Sequence, residues 1–289
     1  MENIIRQFGL NPPFEIVEIN KSAKLINEKF VLKENEDSNQ VEKTLKLNSR
    51  LTANGIPVTE YLSAVSGDKF VVSNDKIFTL MRKMKGEHID PFKSDYISIA
   101  INTGVEVARL HKVLKNISDI EAKKSDFINE LNGWIIPNAK GIPQEIFDSC
   151  LQFENHYREL PRQLIHRDIH FQNILFKNSK VSGFLDFDIS QENVRIFDIS
   201  YLFSSMLVGK YHDADYVKKW HEFACAFLGG YNSENTLQEN ELNAIYKIIL
   251  SIQLIFAAYY KSINQDELIP DCIEMAKWVY ANEKELTIK

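Results

Sequence analysis

The segment "LIHRDIHFQNILF", residues 164–176, concentrates polar and titratable side chains between two apolar runs. Within eight residues it contains His166, Arg167, Asp168, His170 and Asn173. Such a cluster is poor material for a hydrophobic core, because buried polar groups need partners. We therefore asked what chemistry requires an aspartate and an asparagine five residues apart on one loop.

The residues that follow this loop predict a hairpin that brings back a second carboxylate. "NILF" is strand-like, "KNSK" is a turn and "VSGFLDFD" runs back, which would place Asp186 near Asn173. Asp168 would then lie at the same end of the hairpin. Two carboxylates and an amide oxygen are hard ligands that suit Mg²⁺ better than zinc or copper. If substrate phosphates complete the metal coordination, one carboxylate stays free to accept a proton from an attacking hydroxyl.

"HRDIHFQN" followed by "LDFD" resembles the catalytic and metal-binding loops of the protein-kinase-like superfamily. It is most similar to the aminoglycoside phosphotransferase and choline kinase branch, which includes bacterial homoserine-type kinases. The resemblance extends from about residue 14 to residue 231. It implies that Asp168 is the catalytic base and that Asn173 and Asp186 are the magnesium ligands. It also implies phosphoryl transfer, which depends on positioning and charge neutralisation.

Other motifs of this family occur in the expected order. Lys33 resembles the strand lysine that holds the α- and β-phosphates, and Glu42 resembles its ion-pair partner on the next helix. "FTLMRKMKG" resembles the hinge strand, where main-chain groups from Arg82 to Met84 would contact an adenine. In "RIFDISYL", Asp198 stands where the family carries an aspartate that braces the catalytic loop.

Two features depart from the family pattern. The first hairpin, "EIVEINKSAKLINEKF", has no glycine, although loops that cover phosphates usually need one for close backbone approach. Ser22 or Asn20 would instead contact phosphate through the side chain. Arg167 stands where small-molecule kinases often carry glycine or asparagine.

Four further side chains near the loop have several possible roles. We expect His166 to support the loop rather than to titrate in the reaction. His170 is interpreted either as a loop brace or as a substrate contact. Asp188 would join the metal site, face the substrate or stabilise a turn. His111 is interpreted as a helix histidine with satisfied hydrogen bonds rather than as a ligand.

The periodicity of the chain predicts an α+β protein. Residues 14–84 are rich in strand-like segments, with one helix from about Ser38 to Leu51, and the remainder is mainly helical. The resemblance implies a two-lobed protein-kinase-like fold with a small antiparallel sheet in the N-lobe and a larger helical C-lobe. We assign residues 1–84 to a nucleotide-binding lobe, about 81–86 to the hinge, and 85–289 to the catalytic and substrate-binding lobe.

Composition excludes some functional classes. The net charge of −6 argues against a nucleic-acid partner. Three widely spaced cysteines, Cys150, Cys225 and Cys272, favour a reducing compartment. The N-terminus lacks the apolar run of a signal peptide. Polar residues interrupt "IYKIILSIQLIFAAYY", so we expect a buried helix rather than a membrane span. The protein is expected to be cytoplasmic.

The sequence therefore predicts a Mg²⁺-dependent phosphotransferase. It would move the γ-phosphate of ATP or GTP to a hydroxyl of a small molecule such as an amino alcohol, an amino acid or a sugar-like metabolite. A protein kinase is disfavoured because His170 replaces the usual lysine. In addition, only eleven residues separate Asp186 from Asp198, which leaves no room for a peptide-binding activation segment.

Two alternatives stay open. One is an antibiotic kinase of the aminoglycoside type, which would gather carboxylates from the C-terminal helices. The available carboxylates are Asp213, Asp215, Glu222, Glu239 and Glu241. The other is a non-catalytic nucleotide-binding protein, which the glycine-free hairpin allows. The stretch "LDFDIS…VRIFDISYL" is slightly more similar to the homoserine-type kinases and favours a metabolite.

Overall fold

The computed structural model describes residues 1–93 and 95–288. After a short helix α1 (Glu2–Gln7), the first part of the chain forms a six-stranded antiparallel sheet. The strands are β1 (Ile16–Glu18), β2 (Ala23–Ile26), β3 (Phe30–Asn35), β4 (Tyr61–Leu62), β5 (Val71–Ser73) and β6 (Lys76–Arg82). They lie in the order β1-β2-β3-β6-β4, and β5 also pairs with β6. Lys33 therefore lies on a central strand, opposite Thr79 of β6.

The predicted helix of this region is α2 (Ser38–Ala53). It begins where the Asp37 carboxylate accepts hydrogen bonds from the main-chain N–H groups of Asn39 and Gln40. Its buried residues recur at helical spacing and form one inward face. They are Val41, Thr44, Leu47, Asn48 and Leu51.

Tight turns connect three of the hairpins, and two of these turns have two-residue loops. Their central residues are Asn27–Glu28, Asn74–Asp75 and Asn178–Ser179, and all have positive φ between 50° and 60°. Positive φ at both central residues is what the twist of a two-residue hairpin requires, and asparagine tolerates it. The turn signals in "SND" and "KNSK" are thereby explained.

The rest of the chain is mainly helical. Its longer helices are α3 (Tyr96–Lys115), α6 (Gln144–Gln152), α8 (Ile196–Leu207), α9 (Ala214–Glu234), α10 (Glu239–Ser262) and α11 (Ile269–Ala281). Its short helices are α4 (Phe127–Glu130), α5 (Ile136–Asn138), α7 (Glu154–Glu159) and α12 (Glu283–Leu286). A π-helical turn spans Leu131–Ile135, and 3₁₀ turns span Phe171–Asn173 and Asp266–Leu268. The predicted α+β class is confirmed.

Two small pairs of antiparallel strands lie between α7 and α8. The predicted strand pair near residues 174–185 is β8 (Ile174–Lys177) with β9 (Lys180–Phe184). A second pair, β7 (Arg162–Ile165) with β10 (Gln191–Val194), encloses it and was not predicted. Because β7 leads into the polar loop and β10 follows the Asp186 segment, this outer pair fixes both ends of the candidate site.

Helices α3 and α9 pack unusually closely. A β-carbon added at Gly104 would lie 2.1 Å from the Phe227 carbonyl oxygen, and one added at Gly230 would lie 2.2 Å from the Ile101 carbonyl oxygen. Only glycine allows the two backbones to approach this closely. Gly104 begins the stretch "GVEVARLHKV", and Gly230 lies within "FLGGY".

Helix α10 contains the most apolar stretch of the chain. Of the helices in the described part of the chain, it alone is long and apolar enough to cross a membrane by length and composition. However, 67% of its most apolar window is buried by neighbouring elements. The prediction of a buried helix for this stretch is confirmed.

Candidate active site

The polar loop lies between β7 and β8, and the Asp198 side chain binds its main chain. The fully buried Asp198 carboxylate accepts hydrogen bonds from the main-chain N–H of His166 at 2.9 Å and of Arg167 at 2.8 Å. Hydrogen bonds to a buried carboxylate are strong and directional. This is the geometry that the expected brace requires.

A buried chain of side chains holds Asp198 in place. His111 Nε2 lies 3.0 Å from Asp198 Oδ2, and His111 Nδ1 lies 2.8 Å from the Tyr231 hydroxyl oxygen. If Nε2 donates to the carboxylate, Nδ1 accepts from Tyr231, and every polar atom of the ring has a partner. His111 is thus a satisfied helix histidine, as interpreted. The close packing of α3 and α9 brings it to Tyr231.

His166 supports the loop from inside. Its ring is fully buried, Nε2 lies 2.8 Å from the Leu185 carbonyl oxygen, and Nδ1 accepts from the Asp168 N–H at 3.3 Å. Burial lowers the pKa of His166, because the cationic form loses its hydration. A neutral ring with these two hydrogen bonds fits a structural role.

Arg167 adopts a strained backbone conformation, with φ of +80°. Such a conformation costs a non-glycine residue on the order of 1–3 kcal/mol and is often found at functional sites. Glycine and asparagine adopt this conformation more readily than arginine. The guanidinium carbon lies 4.3 Å from the ring centre of Phe197, and burial lowers the pKa of Arg167.

Asp168 is a partly buried carboxylate with several donors around it. Asn173 Nδ2 lies 2.9 Å and His170 Nε2 lies 3.6 Å from Asp168 Oδ2. Burial acts to raise the pKa of Asp168, but the polar groups of His170 and Tyr201 beside the carboxylate outweigh it and lower the pKa to about 2. The carboxylate is therefore ionised at neutral pH. His170 contacts it directly, as a loop brace would.

Asn173 and Asp186 come together as the predicted hairpin requires. The Asn173 carbonyl oxygen accepts from the Leu185 N–H at 2.9 Å, which places Asp186 directly beside it. The Asn173 amide nitrogen faces Asp168, so its amide oxygen points elsewhere. Asp186 has a φ of +58° and a side chain that is 47% exposed. An amide oxygen and an accessible carboxylate oxygen are suitable ligands for Mg²⁺.

The described residues contain no group of three or more His, Cys, Asp and Glu side chains arranged to hold a metal ion. A two-ligand site for Mg²⁺ agrees with this finding, because Mg²⁺ keeps several waters and often shares its coordination with phosphates.

Lys33 lies across from the hairpin. Its Nζ is 3.2 Å from Asp186 Oδ1, and it also contacts Asp188 Oδ2. Burial acts to lower the pKa of Lys33, but the two carboxylates outweigh it and raise the pKa. The strand lysine and the hairpin carboxylates thus meet.

The predicted pairing of Lys33 with Glu42 is wrong. The Glu42 side chain is exposed, and both ionic partners of Lys33 come from the hairpin instead. Helical geometry explains the difference, because residues 40 and 44 lie on the inward face of α2 and residue 42 does not.

Asp188 takes the place that we had given to Glu42. It pairs with Lys33, and its Oδ1 accepts from the Thr44 hydroxyl at 3.3 Å. Its carbonyl oxygen accepts from the Gln40 side chain. These contacts give Asp188 a role that was not among the three considered, because it joins Lys33 and α2 to the loop.

The turn between β1 and β2 is held by a side chain rather than by glycine. Asn20 Oδ1 accepts from the N–H groups of Ser22 and Ala23, each at 2.9 Å. The Ser22 hydroxyl donates to the same oxygen at 3.2 Å. A cavity of about 380 Å³ lies between this turn and α2, and Ser22 and Asp188 both line it.

The hinge strand leaves fewer free main-chain groups than expected. The Arg82 N–H donates to the Glu60 carbonyl oxygen at 2.9 Å, and the Lys83 N–H donates to the Lys29 carbonyl oxygen at 2.8 Å. These two N–H groups are therefore already paired. The contact of main-chain groups from Arg82 to Met84 with an adenine stays a prediction, and Met84 follows the end of β6.

Sequence reasoning missed Tyr201. It lies on α8, one helical turn after Asp198, and its hydroxyl is near enough to the Asp168 carboxylate to help lower the pKa of that carboxylate. Burial and the Asp168 charge raise the pKa of Tyr201, so its hydroxyl stays protonated beside the carboxylate. The spacing from Asp198 was the available signal, since residues three apart share a helix face.

Most of the carboxylates considered for an aminoglycoside-type site serve other contacts. Glu241 is buried and pairs with Arg195. Asp213 accepts hydrogen bonds at the start of α9, and Glu222 accepts from the Tyr96 hydroxyl. We find no gathering of these three residues around one pocket among the described positions.

Comparison with known proteins identifies the family. The family described as APH, Phosphotransferase enzyme family, matches residues 18–232, which is most of the chain. The chain belongs to this family. The match includes the Lys33 strand, the polar loop and the hairpin carboxylates, so the resemblance drawn from the motifs is confirmed.

Individual relatives of this phosphotransferase family member are distant. A homoserine kinase of Polaromonas naphthalenivorans is 26% identical over 166 residues, covering 54% of this chain and 51% of the relative. The match thus spans about half the length of that protein.

Two solved structures share the fold. An amicoumacin kinase in complex with AMP-PNP, Ca²⁺ and Ami has a TM-score of 0.74 and 17% identity, covering 100% of this chain and 94% of its own. A microcompartment-associated aminopropanol kinase has a TM-score of 0.74 and 16% identity, with coverages of 100% and 98%. The fold is therefore the two-lobed protein-kinase-like one.

Proposed function

We propose that this protein is a Mg²⁺-dependent kinase that transfers the γ-phosphate of ATP or GTP to the hydroxyl of a small molecule. The observation that carries this proposal is the meeting of Asp168, Asn173, Asp186 and Lys33 at one place, although Lys33 and Asp186 are 153 residues apart. All four side chains are intact, which argues against a non-catalytic nucleotide-binding protein.

The proposed reaction assigns a proton acceptor and an anchored phosphate. The acceptor hydroxyl would donate its proton to the ionised Asp168, and its oxygen would form a new bond to the γ-phosphorus. The bond from that phosphorus to the β-bridging oxygen would break, and a nucleoside diphosphate would leave. Tyr201 and Asn173 hold the Asp168 carboxylate in place for this step.

Asn173 and Asp186 would hold the magnesium ion, which when bound neutralises the phosphate charges. Lys33 would contact the α- and β-phosphates while Asp188 fixes its position. The nucleotide would bind to the lobe of residues 1–84. The turn that contains Ser22 would cover the phosphates, and the hinge at about 81–86 would contact the adenine. Residues 85–289 would contain the catalytic residues and bind the acceptor. The reaction would take place in the cytoplasm.

The proposal is tested by measuring nucleotide consumption with candidate acceptors: amino alcohols, amino acids, choline, sugars and aminoglycosides. With the acceptor found in this way, Asp168→Asn should keep the fold and nucleotide binding but lower kcat by ~10²–10⁴-fold, because the proton acceptor is lost. Glu42→Gln is the matched control, since it makes the same carboxylate-to-amide change at an exposed position. A variant at Asp168 with nearly full turnover would contradict the assignment of the base.

A further inference from the structure

A second large cavity adjoins the candidate base. It has a volume of about 630 Å³ and lies among α8, α10 and α11. Tyr201 connects the two sites, because its ring lines the cavity and lies 6.2 Å from the ring of His170, whose Nε2 is 3.6 Å from Asp168 Oδ2. A hydroxyl on a molecule in this cavity could therefore approach Asp168 past Tyr201.

One wall of the cavity is aromatic. The ring of Phe256 lies 6.0 Å from that of Tyr201 and 5.7 Å from that of Tyr260, measured between centroids. Ile252, Val208 and Met275 add aliphatic surface. Aromatic surfaces of this kind bind apolar or aromatic groups, and the faces of their rings also bind cations.

The charged groups of the lining are acidic. Asp271 and Glu274 are exposed side chains on α11. Glu274 Oε1 lies 2.9 Å from Lys277 Nζ, whereas Asp271 forms no ion pair with any described residue. The described lining residues include no lysine or arginine, and His212 is the one histidine among them. The guanidinium of Arg167 is stacked on Phe197 and is not part of this lining.

These features discriminate between acceptor classes. Homoserine is small and carries a carboxylate, but this cavity has the volume of a site for a drug-sized ligand and offers no fixed cation. A polycationic sugar needs many carboxylates, but Asp271 is the one unpaired carboxylate of the lining, and Glu241, Asp213 and Glu222 have other partners. An apolar body with one ammonium group fits both the wall and the charge.

We propose that this cavity is the acceptor site and that it takes an amphipathic amino alcohol with an aromatic or branched apolar body and a single ammonium group. This inference rests on the proposed kinase function and specifies its acceptor. The apolar body lies against Phe256 and Tyr260, the ammonium group faces Asp271, and the hydroxyl faces Asp168.

The test uses calorimetric binding of defined probes to the whole chain, which requires no turnover. The probe 2-amino-1-phenylethanol should bind at least about tenfold more tightly than ethanolamine, because it buries a phenyl ring. It should also bind more tightly than the neutral 1-phenylethane-1,2-diol, because its ammonium group pairs with Asp271. The factor should be only about threefold, since this ion pair is exposed to solvent. L-homoserine and kanamycin should bind more weakly than the phenyl amine.

Two variants locate the probe. Phe256→Leu should weaken binding of the amine and the diol alike, by roughly threefold or more, because aromatic contacts are lost. Asp271→Asn should weaken the amine and leave the diol unchanged. Glu267→Gln is the matched control, since this exposed carboxylate lies close to Asp271 in sequence but outside the lining, and it should change neither affinity.

Tighter binding of homoserine or kanamycin than of the phenyl amine would overturn the inference, as would unchanged amine affinity in both variants. Nucleotide consumption with homoserine, without binding of the phenyl amine, would overturn it while the kinase function stands. Binding as expected, with no nucleotide consumption for any hydroxyl compound, would instead contradict the kinase function and with it the role of the cavity as an acceptor site.

Discussion

Lys33 depends on a carboxylate that is distant in sequence. Asp188 contacts Lys33 and also holds α2 through Gln40 and Thr44. It therefore positions the lysine and connects it to the loop that carries Asp186. In this chain the hairpin, rather than the helix, orients the Lys33 side chain.

This arrangement predicts cooperation between Lys33 and Asp188. Lys33→Ala and Asp188→Ala should each lower kcat/KM, and the double variant should lose much less than the product of the two factors, because the pair acts as a unit. Glu42→Ala should leave kcat/KM nearly unchanged. The measurement is a double-mutant cycle on steady-state kinetics. Independent losses at the two positions, or a large loss at Glu42, would show that the pairing is misassigned.

The low pKa of Asp168 predicts a specific pH dependence. The folded-state pKa of about 2 lies below the ordinary value of 3.8, so the stability that Asp168 contributes is present above pH 3.8 and is lost as the pH falls towards 2. Tyr201→Phe removes the hydroxyl that helps to lower the pKa of Asp168, so this pKa should rise.

The acid limb of the kcat/KM profile should therefore move to higher pH in Tyr201→Phe. Tyr216→Phe is a suitable control, because the Tyr216 hydroxyl bonds to the Met206 carbonyl oxygen and not to Asp168. The comparison is made on pH profiles of wild type and both variants. Identical acid limbs in all three proteins would mean that Tyr201 does not act on Asp168.

Among the elements, the pair α3 and α9 supports the brace of the loop. Their close contact brings His111 to Tyr231 and thereby fixes Asp198. A substitution that separates these helices should disturb the loop without touching any residue of the site.

Adjacent glycines of α9 allow a matched test. Gly230→Ala should destabilise the protein by about 1–3 kcal/mol, because its methyl group would collide with the Ile101 carbonyl on the facing backbone. Gly229→Ala should be neutral or stabilise by up to about 1 kcal/mol, because nothing lies within 4 Å and alanine favours the helix. Urea unfolding of both variants measures the difference. Equal effects would contradict the close packing.

How far the sequence predicts the structure depends on how local each interaction is. Asp168, Asn173 and Asp186 could be placed together because one hairpin with a recognisable turn connects them. The brace by Asp198 followed from motif order. The partner of Lys33 could not be found in this way, because Asp188 is 155 residues away and the strand-to-helix spacing pointed to Glu42.

The pairing of β7 with β10 was missed for a similar reason. Its strands are only four residues long and enclose another hairpin, so neither shows a period that distinguishes it from loop. The pairing of the Arg82 N–H was also not predicted, because main-chain hydrogen bonds at a strand end depend on the neighbouring segment, here at Glu60.

In the whole molecule, α2 ties the sheet to the helical lobe at several points. Lys43 Nζ lies 2.6 Å from the Ser190 carbonyl oxygen, and Arg50 and Lys46 contact Asp119. Together with the link through Asp188, these contacts hold the two lobes around one cleft. Nucleotide from one lobe and acceptor from the other would meet there at Asp168.

The central claim is that Asn173 and Asp186 form one magnesium site that nucleotide completes. The most direct test is calorimetric titration of ATP, with and without Mg²⁺, into wild type, Asp186→Ala and Asn173→Ala. In wild type, Mg²⁺ and ATP should strengthen each other's binding, as thermodynamic reciprocity requires of a shared site. Asp186→Ala removes a charge and should abolish this coupling, whereas Asn173→Ala removes a neutral ligand and should weaken it less. If Asp186→Ala leaves the Mg²⁺ dependence of ATP binding unchanged, the shared site is wrong and the kinase assignment loses its main support.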